Sequence, residues 1–273
     1  MKKVSVILVA CLLSLITFGQ ENVILKVSLV QKFAGGIKDF TTDNLGNIYI
    51  LNSTNQIKKA NFRGDTIATY NDVRRYGQIY SIDATNPLKV LVFYKDFSTI
   101  IVLDRLLNAR TAIDLRRQNI LQVTAVTTSY DNNIWLYDEL DSRIKKIDDN
   151  GNVLLESTDF RQALDVVPSP SAIYDRDGQL YLYDAEKGLM VFDYYGAKKN
   201  NYQFLHFSDL QVIDKNTITA RDKDHILLYK PATLQLFSFT VFKTQDNFQK
   251  IKFNGTKIYC LTKNGDLDVY SVL

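Results

Sequence analysis

Histidine occurs twice in this 273-residue chain, cysteine twice and glutamate four times, and those scarcities bound its chemistry. His206 stands beside Ser208 in Phe204-Leu205-His206-Phe207-Ser208. Successive side chains of an extended segment point to opposite sides, so this stretch does not read as a nucleophile with its base. His225 opens a separate apolar segment that runs to Lys230. Cys260, in Ile258-Tyr259-Cys260-Leu261, reads as a buried structural thiol. No zinc spacing, paired cysteine or phosphate-cradling glycine loop appears. Glu21, Glu139, Glu156 and Glu186 are dispersed, whereas a hard divalent cation asks for about six oxygens. The expectation is no catalytic constellation, no metal and no cofactor.

Acidic and amide residues recur instead at a regular interval. Asp43, Asp83, Asp131, Asp175, Asp214 and Asn254 are spaced by 40, 48, 44, 39 and 40 residues. An Asx side chain can bond the backbone two residues on and fix a turn. A nearby Gly or Asn, as in Asn44-Leu45-Gly46-Asn47 and Asp177-Gly178, supplies the positive φ that hairpins need. These six residues therefore read as turn chemistry. So does Arg63-Gly64-Asp65, an adhesion tripeptide by spelling, because it falls where another hairpin needs its glycine.

The turns imply the strands between them. After each Asx comes a β-branched and aromatic run: Asn47 to Leu51, Val90 to Tyr94, Ile134 to Tyr137, Leu180 to Tyr183, Thr217 to Ala220 and Lys257 to Leu261. A third strand follows in every unit and a fourth in five of them. The sixth unit stops at Leu273 after three strands, and the spare strand is Val23 to Val30. Sheets of about 40 residues cannot bury both faces alone; arranged radially, each packs on two neighbours. The fold class is thus all-β: a six-bladed β-propeller over residues 21–273, its last blade closed by the N-terminal strand. The best helical candidate, Asp159 to Leu164, is short.

Lys2 and Lys3, the apolar run Val4 to Phe18 and the small Gly19 have the order of a secretory signal peptide, residues 1–20. A rival reading makes Leu8-Val9-Ala10-Cys11 a lipobox with a lipid anchor on Cys11; the apolar run through Leu12, Leu13, Leu15 and Ile16 argues against it. No later segment is apolar enough to span a membrane. The precursor carries +3, and losing Lys2 and Lys3 leaves 31 basic against 30 acidic residues. That balance excludes the basic stripe of a nucleic-acid binder.

Asp43 to Lys59, with its Gly46-Asn47-Ile48-Tyr49-Ile50 strand and short basic third strand, resembles an NHL-type repeat. Asn133 to Asp148 and the fourth unit match in part. The resemblance implies a six-bladed propeller and no particular activity, since propellers of this kind serve as hydrolases, lactonases or protein scaffolds. An enzyme on the fold would use the central tunnel. Repeat register places Lys38, Asp39, Gln78, Tyr80, Thr124, Ser171, Ser208, Asp209, Gln249 and Lys250 there, a mostly uncharged set. Metal-dependent lactonases of the family hold their ion with Glu and Asn/Asp, and no glutamate falls at an innermost strand here.

The loops between blades and the second-to-third strand turns form one face of the disc. Asn52, Arg74, Arg75, Lys95, Asp96, Arg116, Arg117, Asp138, Glu139, Asp184 and Asp222 fall on it, and a highly charged face of this kind suits docking. The expected function is a non-catalytic extracytoplasmic propeller that binds another protein, as a scaffold or subunit of a cell-envelope complex, including a secretion complex. It would be periplasmic or outer-membrane-associated. The alternative is a propeller hydrolase or lactonase with its site at the tunnel.

Overall fold

The computed structural model describes residues 23–241 and 247–273. Six sheets, each built on four antiparallel strands, follow one another along the chain and close into the six-bladed propeller that the repeat predicts. Their innermost strands are Ile37–Thr42, Ser81–Asn86, Val123–Thr128, Ala172–Arg176, Ser208–Asp214 and Phe248–Asn254. Each innermost strand lies against those of the two adjacent blades, so the six surround one axis. The segment read as a signal peptide lies outside the described residues.

The ring holds because the second strand of each blade is buried on both sides. In Ile134–Asp138, Ile134 and Leu136 enter the apolar cluster shared with blade two, while Trp135 and Tyr137 enter the one shared with blade four. Blade four repeats the pattern: Leu180 and Leu182 face blade three, Tyr181 and Tyr183 face blade five. A period of two with both faces covered reads in sequence as an unbroken apolar run. Six clusters result, one in each gap between blades. Trp135, Tyr49, Tyr94 and Tyr137 have no solvent exposure, and each such side chain removes apolar area worth about 25 cal/mol per Å². Cys260 is a free, fully buried thiol in the gap between blades five and six, and burial pushes its pKa up.

The N-terminal segment closes the ring in two steps. Val27–Phe33 pairs antiparallel with Leu267–Val272 and completes blade six, with Val27 opposite Val272 and Phe33 opposite Leu267. The closing strand therefore begins later than Val23. Val23–Ile24 instead pairs parallel with the outer strand Gln235–Thr240 of blade five. One segment thus covers the open edges of two adjacent blades, which leaves fewer unpaired backbone groups than closing one blade would.

The turns are as predicted at some units and not at others. Asp43 accepts hydrogen bonds from the backbone N–H groups of Leu45 and Asn47, each at 2.9 Å, and Asp214 accepts from Asn216 N–H at 2.7 Å. Asn61 Oδ1 holds the Arg63-Gly64-Asp65 hairpin, where Gly64 has φ +91°. Asp83 and Asp175, however, lie inside strands, and both reach across to blade three; Asp83 still accepts from Thr85 N–H two residues on, at 2.9 Å, whereas the hairpin tips themselves are made by Asn86 to Lys89 and by Asp177-Gly178. The expected helical segment is a single turn, Phe160–Ala163, capped by Asp159. Two more turns, Val73–Tyr76 and the 3-10 turn Leu115–Gln118, carry the arginine doublets.

Candidate functional site

The axis is an open tunnel of about 640 Å³, lined by residues of all six innermost strands. Tyr80, Thr124, Ser171, Asp209 and Lys250 line it as predicted, and Lys38, Asp39 and Gln249 join three of the tunnel residues around a mouth of about 380 Å³. The front face is the one where the innermost strands begin, and this mouth opens on it.

Polar contacts tie every blade to the next, at the tunnel or in the gaps between sheets. Lys250 Nζ donates to Asp39 Oδ1 at 2.6 Å and to the Phe40 carbonyl at 2.9 Å, which ties blade six to blade one. Asn55 Nδ2 reaches the Gly77 carbonyl at 2.7 Å, linking blade one to the start of blade two. Asp83 of blade two accepts from Thr127 Oγ1 at 3.1 Å and from Thr128 N–H in blade three. Asp175 of blade four accepts from Trp135 Nε1 at 3.0 Å, and Tyr174 O–H donates to the Leu210 carbonyl of blade five at 2.6 Å. Gln211 of blade five both accepts from Phe253 N–H at 2.8 Å and donates to its carbonyl.

The carboxylate of Asp209 belongs to this set. Its φ of +53° falls in a bulge that breaks pairing between Ser208 and Gln211. Oδ2 accepts from Arg221 Nε at 2.7 Å and from Ile251 N–H at 2.9 Å. Burial pushes its pKa up, against the pull of Arg221. The carboxylates of Asp39, Asp83 and Asp209 are therefore occupied in holding blades together.

Sequence reasoning missed Lys252 and Arg176, both of which line the tunnel. Lys252 Nζ donates to Thr41 Oγ1 at 2.7 Å, and Arg176 uses Nε and one Nη on the carbonyls of Val212 and Asp175. The signal was available for Lys252: two residues beyond Lys250 on one strand, it shares that residue's side. Burial, then the charge of Lys250, lowers the Lys252 pKa to about 8.

On the front face the predicted residues divide. Arg75, Lys95, Asp96, Arg116, Arg117 and Asp222 are exposed. Arg75 lies over the Tyr76 ring and Lys95 over the Tyr80 ring, 5.0 and 4.8 Å from the centroids. Arg116 ties its loop to the Asp96 carbonyl at 2.9 Å, and Arg117 pairs with Asp114 at 3.2 Å. Arg74 falls in the turn Val73–Tyr76. Asn52 is a turn residue, accepting from Thr54 and Gln56. Glu139, half-buried, bridges Gln122 and Ser169. Asp138 and Asp184 are not surface groups: they are 1% and 4% exposed. Asp138 is ion-paired with Lys145 at 2.8 Å, and Asp184 accepts from Ser169 N–H at 2.8 Å.

Neither histidine reaches the tunnel: His206 is exposed on a front loop, 3.4 Å from Glu186, and His225 lies on a third strand. Among the described residues, no group of three or more His, Cys, Asp or Glu is placed to hold a metal ion, and no helix is long and apolar enough to cross a membrane.

No protein-family model and no curated protein sequence matches the chain. Among solved structures it is similar to virginiamycin B lyase from Staphylococcus aureus, at 13% identity over 91% of this chain and 100% of that one, with a TM-score of 0.64. It is similar to the Cps50 (Swd1) β-propeller domain of Myceliophteria thermophila at 7% identity, over 91% and 100% of the two chains, with a TM-score of 0.61. It is also similar to BBS1N, solved in complex with ARL6DN, at 13% identity over 92% and 98%, with a TM-score of 0.57. At such identities the likeness establishes the propeller fold.

Proposed function

We propose that the protein is a non-catalytic extracytoplasmic propeller whose front face docks another protein of the cell envelope. The observation that carries this reading is the make-up of that face. Tyr80, Phe97, Leu121, Leu140, Val166 and Leu205, each between 38% and 52% exposed, emerge from its loops among Lys95, Asp96, Arg117 and Asp222. Apolar groups set within a charged rim are the composition of a recognition surface. The loops are also held to one another: Arg116 to Asp96, Gln122 to Glu139, Glu139 to Ser169, Lys187 to the Val167 carbonyl at 2.6 Å. A surface fixed before binding loses less entropy on docking. The back face also exposes apolar groups, among them Leu45, Leu88 and Tyr195, each on its own hairpin tip. That BBS1N is solved with a bound protein supports the reading by analogy of fold. The compartment rests on Lys2, Lys3 and the apolar run after them.

Affinity capture of the tagged protein from native membranes after cross-linking tests this. A reproducible envelope partner that is lost in Leu121→Asp with Lys95→Glu, and kept in Leu45→Asp with Tyr195→Asp, is the expected result. Recovery of the chain alone at every detergent and salt condition, or loss only in the back-face variant, overturns it.

The second reading, a hydrolase or lactonase at the tunnel, draws on Lys252, a lysine of lowered pKa in a large cavity. Turnover of an ester or lactone substrate that disappears in Lys252→Met would establish it over the scaffold reading.

A further inference from the structure

The tunnel has hydrogen-bond donors to spare and acceptors in use. Asp83 accepts from Thr85 N–H, Thr85 Oγ1, Thr127 Oγ1 and Thr128 N–H. Asp43 accepts from Leu45, Asn47 and Tyr49. Asp39 faces Lys250, and Asp209 faces Arg221. On the donor side, Lys252 gives one bond of an ammonium's three, to Thr41, and Arg176 gives two of a guanidinium's five. Thr124, 6% exposed and lining the cavity, has a hydroxyl with no partner among the described residues.

We infer that the tunnel binds a small dianion that presents oxygen acceptors, a dicarboxylate or an inorganic oxyanion, between Lys252 and Arg176. A cavity of about 640 Å³ is within the range of small-molecule sites, roughly 300–1,000 Å³. The charged groups that face Lys252 are Lys250 on its own strand, Arg176 on blade four, Asp83 on blade two and Asp39 on blade one. Lys250 and Arg176 disfavour its charge, and a bound dianion between them reverses that effect. Affinity then depends on protonated Lys252. With a pKa of about 8, about one lysine in ten is protonated at pH 9 in the free protein. The titration below uses the protein alone, so tunnel binding and front-face docking can each fail without the other.

Calorimetric titration of the protein with sodium succinate and, separately, sodium sulfate at pH 7 and pH 9 tests the proposal, because both probes stay fully ionised across that range. Saturable one-to-one binding at pH 7 that weakens about tenfold at pH 9 is expected for at least one probe. The probe with the higher affinity identifies the ligand as dicarboxylate or oxyanion. Lys252→Arg should bind with no loss between pH 7 and pH 9, and Arg176→Gln should bind at least tenfold more weakly. Arg110→Ala, on the exposed outer strand of blade two, should bind as the parent does. Thermal melts of each variant establish that it is folded. No saturable binding of either probe at pH 7, or an unchanged tenfold pH effect in Lys252→Arg, overturns the inference.

Discussion

The indole N–H of Trp135 on blade three donates to Oδ2 of Asp175 on blade four at 3.0 Å, deep in the gap between the two sheets. The same carboxylate accepts from Ser129 Oγ and Tyr130 N–H, and its other oxygen from Tyr194 O–H at 2.6 Å. One side chain therefore satisfies four donors, three of them from the neighbouring blade.

Asp175→Ala should cost about 3–5 kcal/mol, since it leaves buried donors without an acceptor. Trp135 is the only tryptophan, so its fluorescence follows urea unfolding directly. A loss below 1 kcal/mol would mean that water replaces the carboxylate and the tie is dispensable.

Deletion of residues 23–33 should give an insoluble or unfolded product. It strips Leu267–Val272 of its partner, uncovers Gln235–Thr240, and removes the ion pair between Lys32 and Asp266 at 2.8 Å. Exposed strand edges template aggregation. Soluble expression with a parental thermal melt would contradict the closure.

Asp138 separates fold from docking. Burial pushes the Lys145 pKa down, but Asp138 and Asp141 outweigh it and leave it raised. Lys145→Met strands the Asp138 charge in the core and should cost about 3–5 kcal/mol, while Lys145→Met with Asp138→Asn should recover part of that loss. Urea denaturation of the two variants measures the difference. Equal stability of single and double variants would show that the pair is not coupled.

Lys252 predicts a pH dependence with a definite sign. Its folded pKa of about 8 lies below the usual lysine value of 10.5, so between those limits the unfolded chain binds more protons. Stability therefore rises with pH in that window, and the penalty for the buried charge is complete below about pH 8. Lys252→Met should stabilise the ligand-free protein at pH 7 by about 1–2 kcal/mol, after allowance for the lost Thr41 contact, and the gain should vanish towards pH 10.5. Denaturation series at pH 7, 9 and 10 on both proteins give the slope; a gain that grows with pH would refute the assignment.

The blades were legible because their code is local. Asx turns at intervals near 40 residues and runs such as Ile134-Trp135-Leu136-Tyr137 depend only on neighbours in sequence, and the missing fourth strand of the last unit pointed to the N-terminus. Asp83 keeps the local bond of an Asx turn, to Thr85 N–H, but gives its other oxygen to blade three, and Asp175 stands near a real turn without making it. Their partners in the neighbouring blade are 44 and 45 residues away for Asp83 and 40 to 46 for Asp175, and no local pattern marks such a bond. Asp138 was placed on the surface because it ends a strand, yet Lys145 draws it into the core.

Residue types and spacing by themselves determined the number of blades, the closure by the N-terminal strand and the scarcity of histidine and glutamate. Only the tertiary structure decided which charges face one another. The fold brings Lys252, Arg176 and Thr124, from blades six, four and three, to one cavity. Such a meeting depends on ring curvature and on side-chain direction across gaps between sheets. Those are properties of packing between blades, and a repeat encodes each blade separately.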